Sequence, residues 1–248
     1  KKKLKFTQNW TKLQLEKYLS IPLNQGMALV ANGKADCLVA GAATSTADLI
    51  RSALRMIGLK PDSKWLSSIF LMISAKRESA YTFSDCAVIP EPTPEQLAII
   101  AKDAAEFHTL LTGEEPRVAF LSFSTKGSAN HYRVDRVRQA VSIFGEKFPS
   151  IKHDGELQLD TALNSEVSKG KIGNSTLNGN ANVLVFPNLD AGNIGYKIAQ
   201  QLGGFLAWGP LLQGLNKPIH DLSRGCSVDD IINVTSIAAM QSGSCANI

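Results

Sequence analysis

VAFLSFSTKGSANHYRVDRVRQAVSIF, residues 118–144, decides the fold class. Val118 to Phe123 is a short apolar run that fits a buried strand. Ser124-Thr125-Lys126-Gly127-Ser128 is a polar, glycine-containing turn, and Val134 to Phe144 has helical spacing. The unit recurs downstream. NVLVFP at 182–187 reads as a strand, Asn188 to Asn193 as the turn, and Ile194–Leu202 as the helix. It also recurs upstream, where ADCLVAGA at 35–42 is a strand with Gly41 at its end. The loop Thr44-Ser45-Thr46 follows, and the helix Ala47–Ile57 sets Arg51 and Arg55 one turn apart. Strand, polar turn and helix in alternation predict an α/β protein with a mainly parallel sheet. In such sheets ligands gather outside the carboxyl ends of the strands, so the three polar loops are the candidate binding elements.

The remaining stretches fit around these units. TKLQLEKYL at 11–19 suggests one helix, and LNQGMALVANGKA at 23–35 a second that ends near Asn32-Gly33. WLSSIFLMIS at 65–74 and Tyr81–Ile89 read as two further strands. Pro90, Pro92 and Pro94 then block regular structure until a helix begins near Glu95. Residues 163–180 are polar and rich in Gly, Asn and Ser, which predicts a helix fragment and a mobile loop. The turn 124–128 lacks the spacing of a P-loop, and Gly192-Asn193-Ile194-Gly195 is not a dinucleotide fingerprint.

The chain has 248 residues, 44% hydrophobic and 19% charged, which suits one large domain or two smaller ones. No apolar run approaches the length of a membrane span, and no signal-peptide pattern opens the chain. A net charge of +4, partly from Lys1, Lys2 and Lys3, gives little support to a nucleic-acid partner. Cys37, Cys86, Cys226 and Cys245 are widely spaced without a metal-ligand pattern, so no metal is expected, and reduced thiols in a cytoplasmic protein are.

Ile219–Gln241, IHDLSRGCSVDDIINVTSIAAMQ, concentrates the chemistry. Apolar Ile231, Val234, Ile237 and Ala238 follow helical spacing, and Ser227 with Asp230 three residues later forms a capping box. Helix starts present unpaired N–H groups that hold anions. Arg224 and the hydroxyl of Ser223 lie just ahead of this one, a cradle for phosphate or carboxylate.

The tail from 182–204 through 209–241, with GAATSTADLIRSAL at 41–54 and FLSFSTKGSA at 120–129, closely resembles the phosphate acetyltransferase family, the phosphotransacetylases. The resemblance covers residues 24–248. It implies reversible transfer of an acetyl group between acetyl phosphate and coenzyme A, by direct thiolate attack without a metal, in a homodimer. It also implies two α/β domains with mainly parallel sheets and an interdomain active-site cleft. One domain would comprise 1–62 plus 211–248 and the other 63–210. Relatives carry a further N-terminal portion, with a basic residue for coenzyme A, ahead of the region of Gly26. Since the chain also begins with Lys, the expectation is a piece of a longer protein.

By the same resemblance, Arg224 binds the phosphate, against the alternative that it only pairs with Asp221 or Asp230. Ser223 donates to the acetyl carbonyl, and His220 nearby is read as structural. Asp230 is the candidate base for the thiol, although a cap at a helix start would lower its basicity. Cys226 reads as a buried, inert thiol rather than a nucleophile. Ser45, Thr46, Thr125, Lys126, Gly127, Ser128 and Asn193 resemble the family's phosphate and acyl contacts, with ordinary turn chemistry as the alternative. Arg51 resembles a substrate contact, or it pairs with Asp48. The alternatives for the whole chain are a phosphate butyryl- or propionyltransferase, and a non-catalytic acetyl-CoA-sensing domain like those of large malic enzymes.

Overall fold

The computed structural model describes residues 5–76 and 78–244. Lys1, Lys2, Lys3 and Cys245, read above for charge and redox state, lie outside the described residues. The chain divides into two compact units, Lys1–Leu66 with Gly209–Ile248, and Ser67–Trp208.

In the first unit the helices α1 (Lys12–Leu19) and α2 (Pro22–Ala31) precede strand β1 (Leu38–Ala40) and helix α3 (Thr46–Met56). Ser45 caps α3 through the Asp48 N–H, and Leu49, Ala53 and Met56 are its buried stripe. Met27 and Val30 of α2 are likewise buried.

The second unit runs β2 (Ser67–Ile73), β3 (Ala80–Ser84), α4 (Pro94–Thr112), β4 (Arg117–Leu121), α5 (Tyr132–Lys147), β5 (Lys152–Leu157), α6 (Leu159–Leu163), α7 (Ser165–Ile172), β6 (Val183–Val185) and α8 (Leu189–Gln201). The chain then enters β7 (Leu206–Gln213), which returns it to the first unit. There β8 (Ile219–Asp221) pairs in parallel with β1 and is followed by α9 (Val228–Ser244).

The larger sheet has the order β5-β4-β6-β3-β2-β7. Pairing is parallel from β5 to β3 and antiparallel between β3 and β2. The architecture is mixed α/β with mainly parallel pairing. Phe120 on one face meets Phe144 of α5, whereas Ala119, Leu121 and Leu184 on the other join Ala162 of α6 and Tyr196 of α8. Covering both faces explains the near-continuous apolar runs of β4 and β6. From β4 the chain leaves through α5 to one side of the sheet, and from β6 through α8 to the other. The gap between the ends of these neighbouring strands is therefore the topological switch point.

Three expectations are corrected. Helix α8 begins at Leu189, five residues earlier than the spacing indicated, because the Asn188 side chain accepts from Ala191 N and caps it. Residues 189–193 are thus helical rather than a turn. The segment 163–180 is not loose: Ser175 Oγ donates to Asp154 Oδ2 at 2.7 Å, and Leu177 is buried. Strand β5, KHDGEL, was not read as a strand, since its acidic residues face inward and are paired there.

Candidate active site

Strands β1 and β8 run side by side in parallel, so the loops that leave them, 41–45 and 222–227, start from the same end of the pair. Gly41 makes this possible. It sits at φ 121°, and a Cβ there would lie 2.2 Å from Asp221 Oδ1 and 2.4 Å from Leu222 O. Thr46 Oγ1 donates to Asp221 Oδ2 at 2.5 Å. Asp221 is 2% exposed, and burial raises its carboxyl above the usual range despite the Thr46 bond. Its second oxygen, Oδ1, has no hydrogen-bond partner among the described residues.

Ser45 Oγ donates to Asp48 Oδ2 at 2.7 Å, and Arg51 Nη1 pairs with Asp48 Oδ1 at 2.6 Å. The bond from Ser45, then Arg51, holds the Asp48 carboxyl below its ordinary range. Arg51 therefore takes the local pairing that its spacing allowed, on an exposed helix face.

In the loop after β8, Ser223 Oγ accepts from Gly225 N at 3.2 Å, which leaves its own O–H to donate outward. Ser227 and Asp230 form the reciprocal cap. Asp230 N donates to Ser227 Oγ at 3.1 Å, while Ser227 N and Oγ reach Asp230 Oδ2 at 2.8 and 2.9 Å. Arg224 is exposed. Among the described residues it pairs with neither Asp221 nor Asp230, each of which has one oxygen engaged, by Thr46 and by Ser227. Cys226 is a free thiol, half-buried rather than buried. His220 is fully buried, accepts from Leu212 N, and burial lowers its pKa to about 4.

In the second unit the turn after β4 is closed on itself. Thr125 N donates to Ser128 Oγ, Gly127 N to Glu156 Oε1, Ala129 N to Ser124 Oγ, Lys126 N to Glu156 O and Ser128 N to Thr125 O. Lys126 Nζ forms an ion pair with Asp154 and donates to Gly155 O. Glu156, 2% exposed, also accepts from Ser124 Oγ and from the fork of Arg138. These bonds outweigh burial and hold the Asp154 and Glu156 carboxyls below their ordinary range. The backbone N–H groups of this turn are thus committed internally, and the buried hydroxyls of Ser124 and Thr125 donate to Glu156 and Gln158, which leaves Ser128 as the exposed hydroxyl of the turn. Asn193, on α8 after the neighbouring β6, donates to Cys86 O at 3.1 Å. Asp154, Glu156 and Arg138 were missed by the sequence reading, because their partners come from other elements, and Asp221, read there only as a possible partner of Arg224, pairs instead with Thr46.

Among the described residues no three His, Cys, Asp or Glu gather as a metal site, and no helix is long and apolar enough to cross a membrane. Residues 3–239 match the phosphate acetyl/butaryl transferase family. The chain belongs to that family. Its similarity to the phosphate acetyltransferase of Paracoccus denitrificans is 47% identity over 224 residues, 89% of this chain and 70% of the relative. With the Bacillus subtilis phosphate acetyltransferase it is 50% over 216 residues, 87% and 66%. The solved phosphotransacetylase of Streptococcus pyogenes superposes with TM-score 0.91 at 44% identity, covering 97% of this chain and 73% of that one. The chain thus spans about two thirds of these family members' length.

Proposed function

We propose that this family member catalyses the reversible transfer of an acetyl group between acetyl phosphate and coenzyme A. The thiolate of coenzyme A attacks the acetyl carbonyl carbon, the C–S bond forms as the C–O bond breaks, and phosphate leaves. Arg224 receives the leaving phosphate through a planar, permanently charged fork. The outward O–H of Ser223 donates to the carbonyl oxygen as charge develops, a contribution of about 3 kcal/mol to the barrier in comparable sites. Asp230 takes the thiol proton through the oxygen that Ser227 leaves free. With a thiol pKa of about 8.5, that assistance is needed at neutral pH. Ser45, Thr46, Arg51, Thr125, Lys126, Gly127, Ser128 and Asn193 act on the same substrates, Lys126 and Arg51 as much by holding their loops as by contact.

The observation that carries the reading is Arg224. An exposed guanidinium with no ion pair among the described residues stands beside a capped helix start, in a chain of this family. Coenzyme A-dependent arsenolysis of acetyl phosphate tests it. Turnover that Arg224→Ala abolishes without loss of fold supports the reading. A folded protein that binds acetyl-CoA without turnover would favour the sensing-domain alternative.

The family description includes butyryl transfer, so the acyl group is the open specificity, and acetyl, propionyl and butyryl phosphate should be compared. A homodimer is supported by Ile194, Ile198 and Leu202, an apolar stripe along α8 that is 57%, 54% and 84% exposed. A cytoplasmic setting is supported by the free thiols of Cys37, Cys86 and Cys226.

A further inference from the structure

We infer that Asp221 is a positioning residue for the transfer: through Thr46 it sets where the turn carrying Ser223 and Arg224 stands. The groups involved all belong to the first unit. The inference rests on the acyl-transfer reading and deepens it.

The turn has little of its own to hold it in place. Ser223 Oγ accepts from Gly225 N, and Ser223 O accepts from Cys226 N at 3.0 Å, so both bonds close the turn on itself. Among the described residues no hydrogen bond joins residues 223–226 to another element. Ser223, Arg224 and Gly225 are exposed. The position of the turn is therefore decided at its two ends. The far end is the Ser227–Asp230 cap. At the near end Leu222 N donates to Ala40 O at 2.7 Å, and Asp221 accepts from Thr46.

The two near-end bonds reach different parts of the unit. The Leu222 bond continues the pairing of β8 with β1. The Asp221 bond reaches past the strands to the first residue of α3, a helix anchored by its buried stripe. Asp221 is 2% exposed, so solvent cannot take the place of the Thr46 hydroxyl. A Cβ at Gly41 would lie 2.2 Å from the other carboxyl oxygen, which leaves the group wedged between Gly41 and Thr46. Thr46 has a single O–H and spends it on Asp221, so it has none to give to a phosphate. Its part in handling substrate runs through Asp221.

Steady-state kinetics of acetyl transfer test the assignment. Asp221→Ala should raise KM for acetyl phosphate about tenfold and lower kcat about tenfold, leaving KM for coenzyme A unchanged. The combined loss of about a hundredfold is what a displacement of about 1 Å costs a positioned group. A loss of folded protein would lower kcat alone. Asp221→Asn keeps an acceptor for Thr46 and should bring KM for acetyl phosphate back to within about twofold. Thr46→Val should reproduce the effect of Asp221→Ala, and the double variant should be no worse than either. Thr46→Val also decides the matter where Asp221→Ala does not fold. Unchanged KM for acetyl phosphate in these variants, full additivity, or an Asp221→Asn as impaired as Asp221→Ala overturns the assignment. Calorimetric titration with inorganic phosphate separates it from the reaction. A protein inert in turnover whose phosphate affinity falls in Asp221→Ala and returns in Asp221→Asn would sink the acyl-transfer reading and keep the positioning role. Phosphate affinity unchanged in Asp221→Ala, or no phosphate binding by the unaltered protein, overturns that role.

Discussion

The hydroxyl of Thr46, first residue of α3, donates at 2.5 Å to the carboxylate of Asp221, last residue of β8, from 175 positions away in the chain. The bond ties together the two loops that carry Ser45, Ser223 and Arg224. Thr46→Val should destabilise by about 1–3 kcal/mol, since it leaves a buried acceptor with neither oxygen satisfied. Asp221→Asn should cost less, because it removes the buried charge as well. The two changes should couple in a double-mutant cycle followed by urea denaturation, with the double variant losing less than the sum.

Asp230 has two duties under the proposed mechanism, and two substitutions separate them. Ser227→Ala should lower stability by about 1 kcal/mol as the cap is lost, with kcat largely kept. Asp230→Asn retains an oxygen for the Ser227 N–H, so its melting temperature should move little, while kcat falls by about a hundredfold or more as a general base is removed. Unchanged turnover in Asp230→Asn would leave the residue as a cap alone.

The turn after β4 depends on a charge pair. Arg138 Nε and Nη2 reach Glu156 at 3.0 and 3.2 Å, and Glu156 in turn holds Ser124 and Gly127. Arg138→Met strands a buried carboxylate and should lower the urea midpoint more than Glu156→Gln, which keeps an acceptor without the charge. Combining the two should restore part of the loss.

Acid should weaken the fold through two histidines. His108 and His220, both fully buried, have pKa values lowered by burial from 6.5 to about 4. As pH falls below 6.5 the unfolded chain takes up their protons and the folded chain does not. Stability is therefore lost down to about pH 4, by about 3 kcal/mol for each group. Asp221, with its raised pKa, works in the opposite sense, since its burial penalty is relieved as pH falls. Asp154 and Glu156, with lowered values, begin to cost stability only below their ordinary range, near pH 4. Urea midpoints at pH 7 and pH 4.5 should differ, and His220→Gln should flatten the difference.

What could be read from the residues follows from where their partners lie. The strand–turn–helix units at 118–144 and 35–57 were legible because apolar runs and caps are local signals. The Ser227–Asp230 box and the Arg51–Asp48 pair were legible at spacing three for the same reason. The start of α8 was misplaced because an asparagine that opens a turn and one that caps a helix look alike. Strand β5 was hidden by Asp154 and Glu156, whose burial is sensible only once β4 brings up Lys126 and helix α5 brings up Arg138. Strand β7 carries Gly209-Pro210 in its middle, and proline is tolerated there at the edge position it occupies. The engagement of Lys126 by Asp154 likewise required the register of two strands.

The closed turn at 124–129 has a consequence for proteolysis. Trypsin needs its substrate as a short extended ribbon, and Lys126 offers an accessible side chain on a backbone that cannot be drawn out. Every amide from Thr125 to Ala129 is held by an oxygen of the same unit. Cleavage after Lys126 therefore has to wait for the larger sheet to open, and the rate of that cut reports the opening.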